Sequence, residues 1–124
     1  MKVVKKIFVI SILFCFNLRA SEIWQLGGKE IIFSEFTLNG KTVLIEAKCI
    51  NNLKCNSRSV LLIKRNTPEN IQSKNGTSPH SIYCKSVLNA QVIILKNKNG
   101  DQNSFCLFSD GTLAESFSIY RFFR

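Results

Sequence analysis

Four cysteines, Cys49, Cys55, Cys84 and Cys106, constrain this chain more than any other feature. Structural zinc sites use close cysteine pairs roughly two to four residues apart. Here five residues lie between the first two cysteines and twenty-one between the last two, so a zinc knuckle is not expected. An even number of cysteines in a small chain argues for two disulfides, provided the chain folds in an oxidising compartment. Spacing alone leaves their connectivity open.

The amino terminus supplies that compartment. Lys2, Lys5 and Lys6 precede an apolar run at residues 7–16, and Leu18-Arg19-Ala20 closes with a small residue. This is the pattern of a secretory signal peptide, with cleavage after Ala20. The run has ten residues, whereas crossing a bilayer takes about 20, so no transmembrane span is expected in the mature form. Phe14 is too bulky for the position before a lipidated Cys15. The expected product is periplasmic or extracellular. The formal charge is +9, but four of the seventeen basic residues sit in the leader. Thirteen basic against eight acidic residues remain, a net +5. They are spread over Lys54, Arg58, Lys64, Arg65, Lys96 and Lys98 among others, and most serve solvation. Such a charge also suits an anionic envelope component, lipid head groups or cell-wall polymers. No basic helix or aromatic–basic platform points to nucleic acid.

Residues 21–76 read as a β-rich region. Residues 31–38, IIFSEFTL, favour a strand, and Asn39-Gly40 is a strong two-residue hairpin signal. Residues 41–49 then alternate, with Val43, Ile45, Ala47 and Cys49 on one face and Thr42, Leu44, Glu46 and Lys48 on the other. Val60-Leu61-Leu62-Ile63 is too short for a confident helix and fits a buried strand over 59–64. The polar stretch 67–77, with Pro68 and Gly76, reads as an internal boundary.

Residues 77–124 read as a small α-β-β-α module. Ser78-Pro79 is a helix start: the hydroxyl accepts a free N–H of the first turn, and proline fits the first helical position. Strands are expected at 91–96 and 104–108, with turns at Asn99-Gly100 and Ser109-Asp110-Gly111. Thr112 and Glu115 have capping-box spacing, which starts a second helix at Thr112. Leu113, Phe117 and Tyr120 form its apolar stripe, with Phe117 and Tyr120 expected in the core. The expected fold class is α+β, an antiparallel β-rich region at 21–76 followed by this disulfide-stapled module.

Ser78-Pro79-His80, Tyr83-Cys84, Cys106-Leu107-Phe108-Ser109-Asp110-Gly111 and Tyr120-Arg121 together resemble a small bacterial secreted domain of unknown function that carries a hemolysin label. The likeness covers roughly residues 77–121. Asn89-Ala90 replaces that family's glycine pair, and Ala114 and Arg124 stand at its third and fourth cysteines. Cysteines that pair tend to be lost together. The resemblance therefore implies that Cys84 pairs with Cys106, which leaves Cys49 to Cys55. It also raises a membrane-active role.

Catalytic machinery is thin. His80 is the single histidine, and a histidine at a helix start serves more often as a surface or capping group than as a general base. Asp110 and Glu115 are accounted for by a turn and a cap. The expectation is no catalytic residue, no cofactor and no metal site: a non-catalytic envelope interaction module with a protein or anionic partner. Lys54, Arg58, Phe122 and Phe123 are its candidate contacts. A protease inhibitor presenting Lys54 on a Cys49–Cys55 loop is the alternative, beside the hemolysin-like factor.

Overall fold

The computed structural model describes residues 21–63 and 76–124. The leader with Cys15, Lys64 and Arg65, and most of the 67–77 boundary lie outside them. Six strands form a closed antiparallel barrel: β1 (Ser21–Leu26), β2 (Lys29–Leu38), β3 (Lys41–Glu46), β4 (Gln91–Lys96), β5 (Gln102–Leu107) and β6 (Leu113–Glu115). Their spatial order is β1-β2-β3-β6-β5-β4. Among the described residues three short helices accompany them: α1 (Asn56–Ser59), α2 (Pro79–Ser86) and α3 (Ser116–Phe123).

This corrects the expected architecture. The two halves of the chain do not form a β-rich region followed by an α-β-β-α module; each contributes one three-stranded meander to a single barrel. The meanders meet at two narrow seams. β3 joins β6 through Ile45 opposite Ala114, and β1 joins β4 through Gln25 opposite Lys96.

The hairpins follow from local chemistry. Asn39 and Gly40 both adopt positive φ, 53° and 78°, the twist that a two-residue turn needs to match its strands. Alternation along the strands then builds two cores. Trp24, Phe33, Leu44, Leu95, Phe105 and Leu113 point into the barrel. Phe105 is the hub, its ring 5.3 Å from Trp24 and 4.8 Å from Phe33. Each ring buried this way stabilises the fold by roughly 1.5–3 kcal/mol relative to exposure. Val43, Ile45, Cys106 and Ala114 point outwards and are covered by α2, α3 and the disulfide loops, with Tyr83, Ile119 and Tyr120. β3 is therefore buried on both faces.

Both disulfides are formed, Cys49–Cys55 and Cys84–Cys106. The first closes the connection after β3, and the second ties α2 to β5. Disulfides persist in oxidising compartments, which agrees with an exported chain.

Three local expectations change. The 41–49 strand stops at Glu46, because residues Ala47–Cys49 wind into a 3-10 turn that brings Cys49 to Cys55. The strand expected at 59–64 is instead the 3-10 turn Val60–Leu62, following α1. A four-residue apolar run does not distinguish a strand from a buried turn; here Val60 and Leu61 fill the outer core and need no pairing partner. The helix expected at Thr112 begins at Ser116, because Leu113–Glu115 is taken up as β6. Glu115 itself becomes the N-cap, accepting the Ser118 N–H at 3.2 Å. Thr112 donates its hydroxyl to Asp110 at 2.6 Å and accepts the Ser57 N–H at 3.1 Å.

That last contact belongs to a joint between the halves. The Asp110 carboxylate accepts the Asn56 N–H at 2.8 Å, so a turn in the second meander caps α1, whose own N-cap, Cys55, makes no side-chain cap bond.

Candidate functional site

The Asn39-Gly40 turn sets Lys41 and Thr42 at the start of β3, beside the outer face of α3. Two contacts fix the helix there. Glu115 caps its first turn, and the Ser118 hydroxyl accepts the Leu44 N–H of β3 at 3.0 Å. With Ser118 turned to the sheet, Phe117, Arg121 and Arg124 follow one another at helical spacing along the open side. Between hairpin and helix lies an open groove of about 800 Å³, lined by Lys41, Thr42, Phe117, Arg121, Phe122 and Arg124 among others.

Phe117 is 48% exposed, which overturns its expected place in the core; Tyr120, one helical turn on, is buried as expected. The Arg121 guanidinium lies 5.6 Å from the Phe117 ring centre, and that of Arg124 lies 6.0 Å from Tyr120. Rings at this distance orient a guanidinium while leaving its donors available. The one carboxylate in the groove, Glu115, is engaged by the Ser118 N–H and by the Asn103 amide at 2.7 Å. Among the described residues the one ion pair is Lys48–Glu46, at 3.5 Å. Lys41, Arg121 and Arg124 therefore face the groove without a carboxylate partner. An anion there would meet the three cationic groups and two flanking rings, beside a Glu115 carboxylate whose oxygens are taken up by the Ser118 N–H and the Asn103 amide.

The residues singled out from sequence disperse over the surface. Phe122 lines the groove. Phe123 packs on Tyr83 and Phe122, 6.0 and 5.2 Å between ring centres. Arg58 is half-buried: its Nε donates to the Ile50 carbonyl, and its guanidinium lies 4.0 Å over the Phe36 ring. It braces the first disulfide loop. Lys54 is exposed on that loop, but the loop is wound into successive turns, with Asn52 N–H bonded to Cys49 carbonyl and Cys55 N–H to Asn52 carbonyl, both 3.1 Å. A substrate-like inhibitor presents an extended segment that adds a strand to its target, and this loop does not have that shape.

His80 has a serine partner: its Nδ1 lies 2.8 Å from the Ser116 hydroxyl. Ser116 is fully buried. Its hydroxyl donates to the Ser104 carbonyl at 3.0 Å and also meets the Ser104 hydroxyl. With its proton given to the carbonyl, Ser116 accepts from Ser104 and from His80, which spends one donor and two acceptors. The set ties α2 to α3 and β5. Burial pushes the His80 pKa below its ordinary value, partly offset by the nearby Glu115 charge, so the neutral ring is favoured. Among the described residues, no three or more His, Cys, Asp or Glu side chains gather to hold a metal ion, and no helix is long and apolar enough to cross a membrane.

In comparisons with known proteins, no protein family, curated protein or solved structure matches this chain.

The groove cations were not singled out from sequence. The i, i+4, i+7 spacing of Phe117, Arg121 and Arg124 was legible as one helix face. Lys41, some eighty residues away in the chain, joins them only through barrel closure.

Proposed function

We propose that this protein is a non-catalytic, exported binding module whose groove between the β2–β3 turn and α3 holds an anionic group of the cell envelope. The observation that carries the reading is the convergence of Lys41, Arg121 and Arg124, none with a carboxylate partner among the described residues, on an open groove edged by Phe117 and Phe122. The two disulfides support a role outside the reducing cytosol, and the closed hydrogen bonding around Ser116 supports a structural use of His80.

Vesicle co-sedimentation tests this. Each basic residue near an anionic surface contributes about 1 kcal/mol. The protein should bind vesicles containing phosphatidylglycerol and not pure phosphatidylcholine, and Arg121→Gln with Arg124→Gln should weaken binding about 30-fold. Raising the salt should weaken it further, because the groove is open to solvent screening. Soluble polyphosphate as competitor separates a head-group preference from a general polyanion site. Equal binding to both vesicle types, or an unaffected double variant, would refute the reading.

A further inference from the structure

The described helices pack on β3, β4, β5 and β6, and among the described residues the outer face around Ile32 of β2, Ile23 of β1 and Ile94 of β4 is left exposed. Because Trp24, Ile31, Phe33, Ile93 and Leu95 belong to the interior cluster, their neighbours point outwards. Ile23 lies directly opposite Ile32 across the β1–β2 ladder. Ile23, Ile32 and Ile94 are 39%, 53% and 55% exposed. Ile23 and Ile32 adjoin, and Ile94 lies further along the same face, because the pairing of Gln25 with Lys96 sets it opposite Gly27 rather than Ile23. Isolated exposed isoleucines are ordinary, whereas an adjoining pair with a third on the same sheet face marks an interaction surface.

The polar row that runs between the Ile23–Ile32 pair and Ile94 says what fits this face. Gln25 pairs with Glu30 on one side and with Lys96 on the other. One row across three strands therefore reads carboxylate, amide, ammonium. Neither Glu30 nor Lys96 has an ion-pair partner among the described residues. A two-fold axis running along β1 lays this row on its own copy in reverse. Glu30 then meets Lys96 of the second copy, Lys96 meets its Glu30, and Ile23 meets Ile23. The surface is self-complementary in charge, as a two-fold interface requires.

We infer that this face associates with a second copy of the chain, forming a two-fold dimer through β2, β1 and β4. Three strands about 4.8 Å apart make a contact well below the roughly 800 Å² per partner of a standard interface. The dimer is therefore of the weak, concentration-dependent kind. It lies apart from the groove and does not rest on the proposed ligand.

Sedimentation velocity from about 10 μM to 1 mM, near physiological salt, decides it. The wild-type chain should pass from monomer to dimer over this range. Ile23→Asp should remain monomeric. Glu30→Lys should weaken the dimer about tenfold by setting lysine against lysine, and Glu30→Lys with Lys96→Glu should restore it. Thermal unfolding of each variant checks that the barrel is intact. A monomer at 1 mM, a dimer indifferent to Ile23→Asp, or a double swap no better than the single one would overturn the inference. Arg121→Gln should leave association unchanged; if it abolished the dimer, this face would not be the interface.

Discussion

Removing the two disulfides separately should give unequal losses, and the structure sets the ratio. The bridges close chain separations of 22 residues for Cys84–Cys106 and 6 for Cys49–Cys55. If a bridge acts by restricting the unfolded chain, its contribution grows with the logarithm of loop length: about 3.4 kcal/mol for the longer and about 2.2 kcal/mol for the shorter. Packing losses should nearly cancel in the comparison, since all four cysteines are buried, with exposures of 0, 6, 0 and 0%. Spread over the 104 residues after Ala20, an unfolding entropy of roughly 2.1 cal/mol/K per residue makes each kcal/mol worth about 4–5 °C. Cys84→Ala with Cys106→Ala should lower Tm by about 15 °C, and Cys49→Ala with Cys55→Ala by about 10 °C. Trp24 is the sole tryptophan and lies inside the barrel, so its fluorescence follows the transition that matters. If the Cys49–Cys55 variant lost as much as the other, the short bridge would be acting through native-state packing around Arg58, and the chain-entropy reasoning would fail.

Two further measurements bear on the joints between elements. Glu115→Ala removes the cap of α3 and should cost about 0.5–2 kcal/mol in denaturant unfolding, while Glu115→Gln, which keeps an acceptor, should lose less; equal losses would show that the charge and not the cap matters. Stability should also fall with acid in two stages. His80 is held below its ordinary 6.5 by burial, so the unfolded chain takes its proton first, and this contribution is lost as pH falls below about 6.5. For Asp110, partial burial pushes the pKa up, but hydrogen bonds from Thr112 and the Asn56 N–H outweigh it and hold it below 3.8. Its contribution is present above that value and is lost as pH falls through the lower, folded value. Tm measured from pH 8 to 3 should show both steps, and Asp110→Asn should flatten the second; an unchanged acid limb would remove Asp110 from the joint.

What the sequence disclosed was local. The Asn39-Gly40 hairpin, the Ser78-Pro79 helix start and the strands around Val92 and Phe105 are written in neighbouring residues, because turn chemistry and two-residue periodicity act over short range. β1 was not legible as a strand: Ser21–Leu26 buries only Trp24 fully, although Gly27-Gly28, both at positive φ, is a hairpin signal that could have found it. β6 was misread because Thr112 and Glu115 have the spacing of a cap, while the pairing of Ala114 with Cys106 and Ile45 that holds it as a strand is long-range. The same limit hid the groove. Phe122 was a candidate from its aromatic cluster, but Lys41 reaches α3 only when the barrel closes. Arg58 was named from its charge alone; nothing in the sequence announces that it lies over Phe36.

A closed barrel has no free strand edges, but only when it is whole. Each meander alone presents two, β1 and β3 in the first half, β4 and β6 in the second, and unpaired edges are templates for joining other chains. On a chain delivered amino terminus first, the β1 and β3 edges wait until β4 to β6 arrive, beginning some forty-five residues after β3 ends. Neither disulfide crosses between the halves, so oxidation cannot hold them together during that interval. The seams at Ile45–Ala114 and Gln25–Lys96 are thus where newly made chains choose between their own second half and a neighbour's.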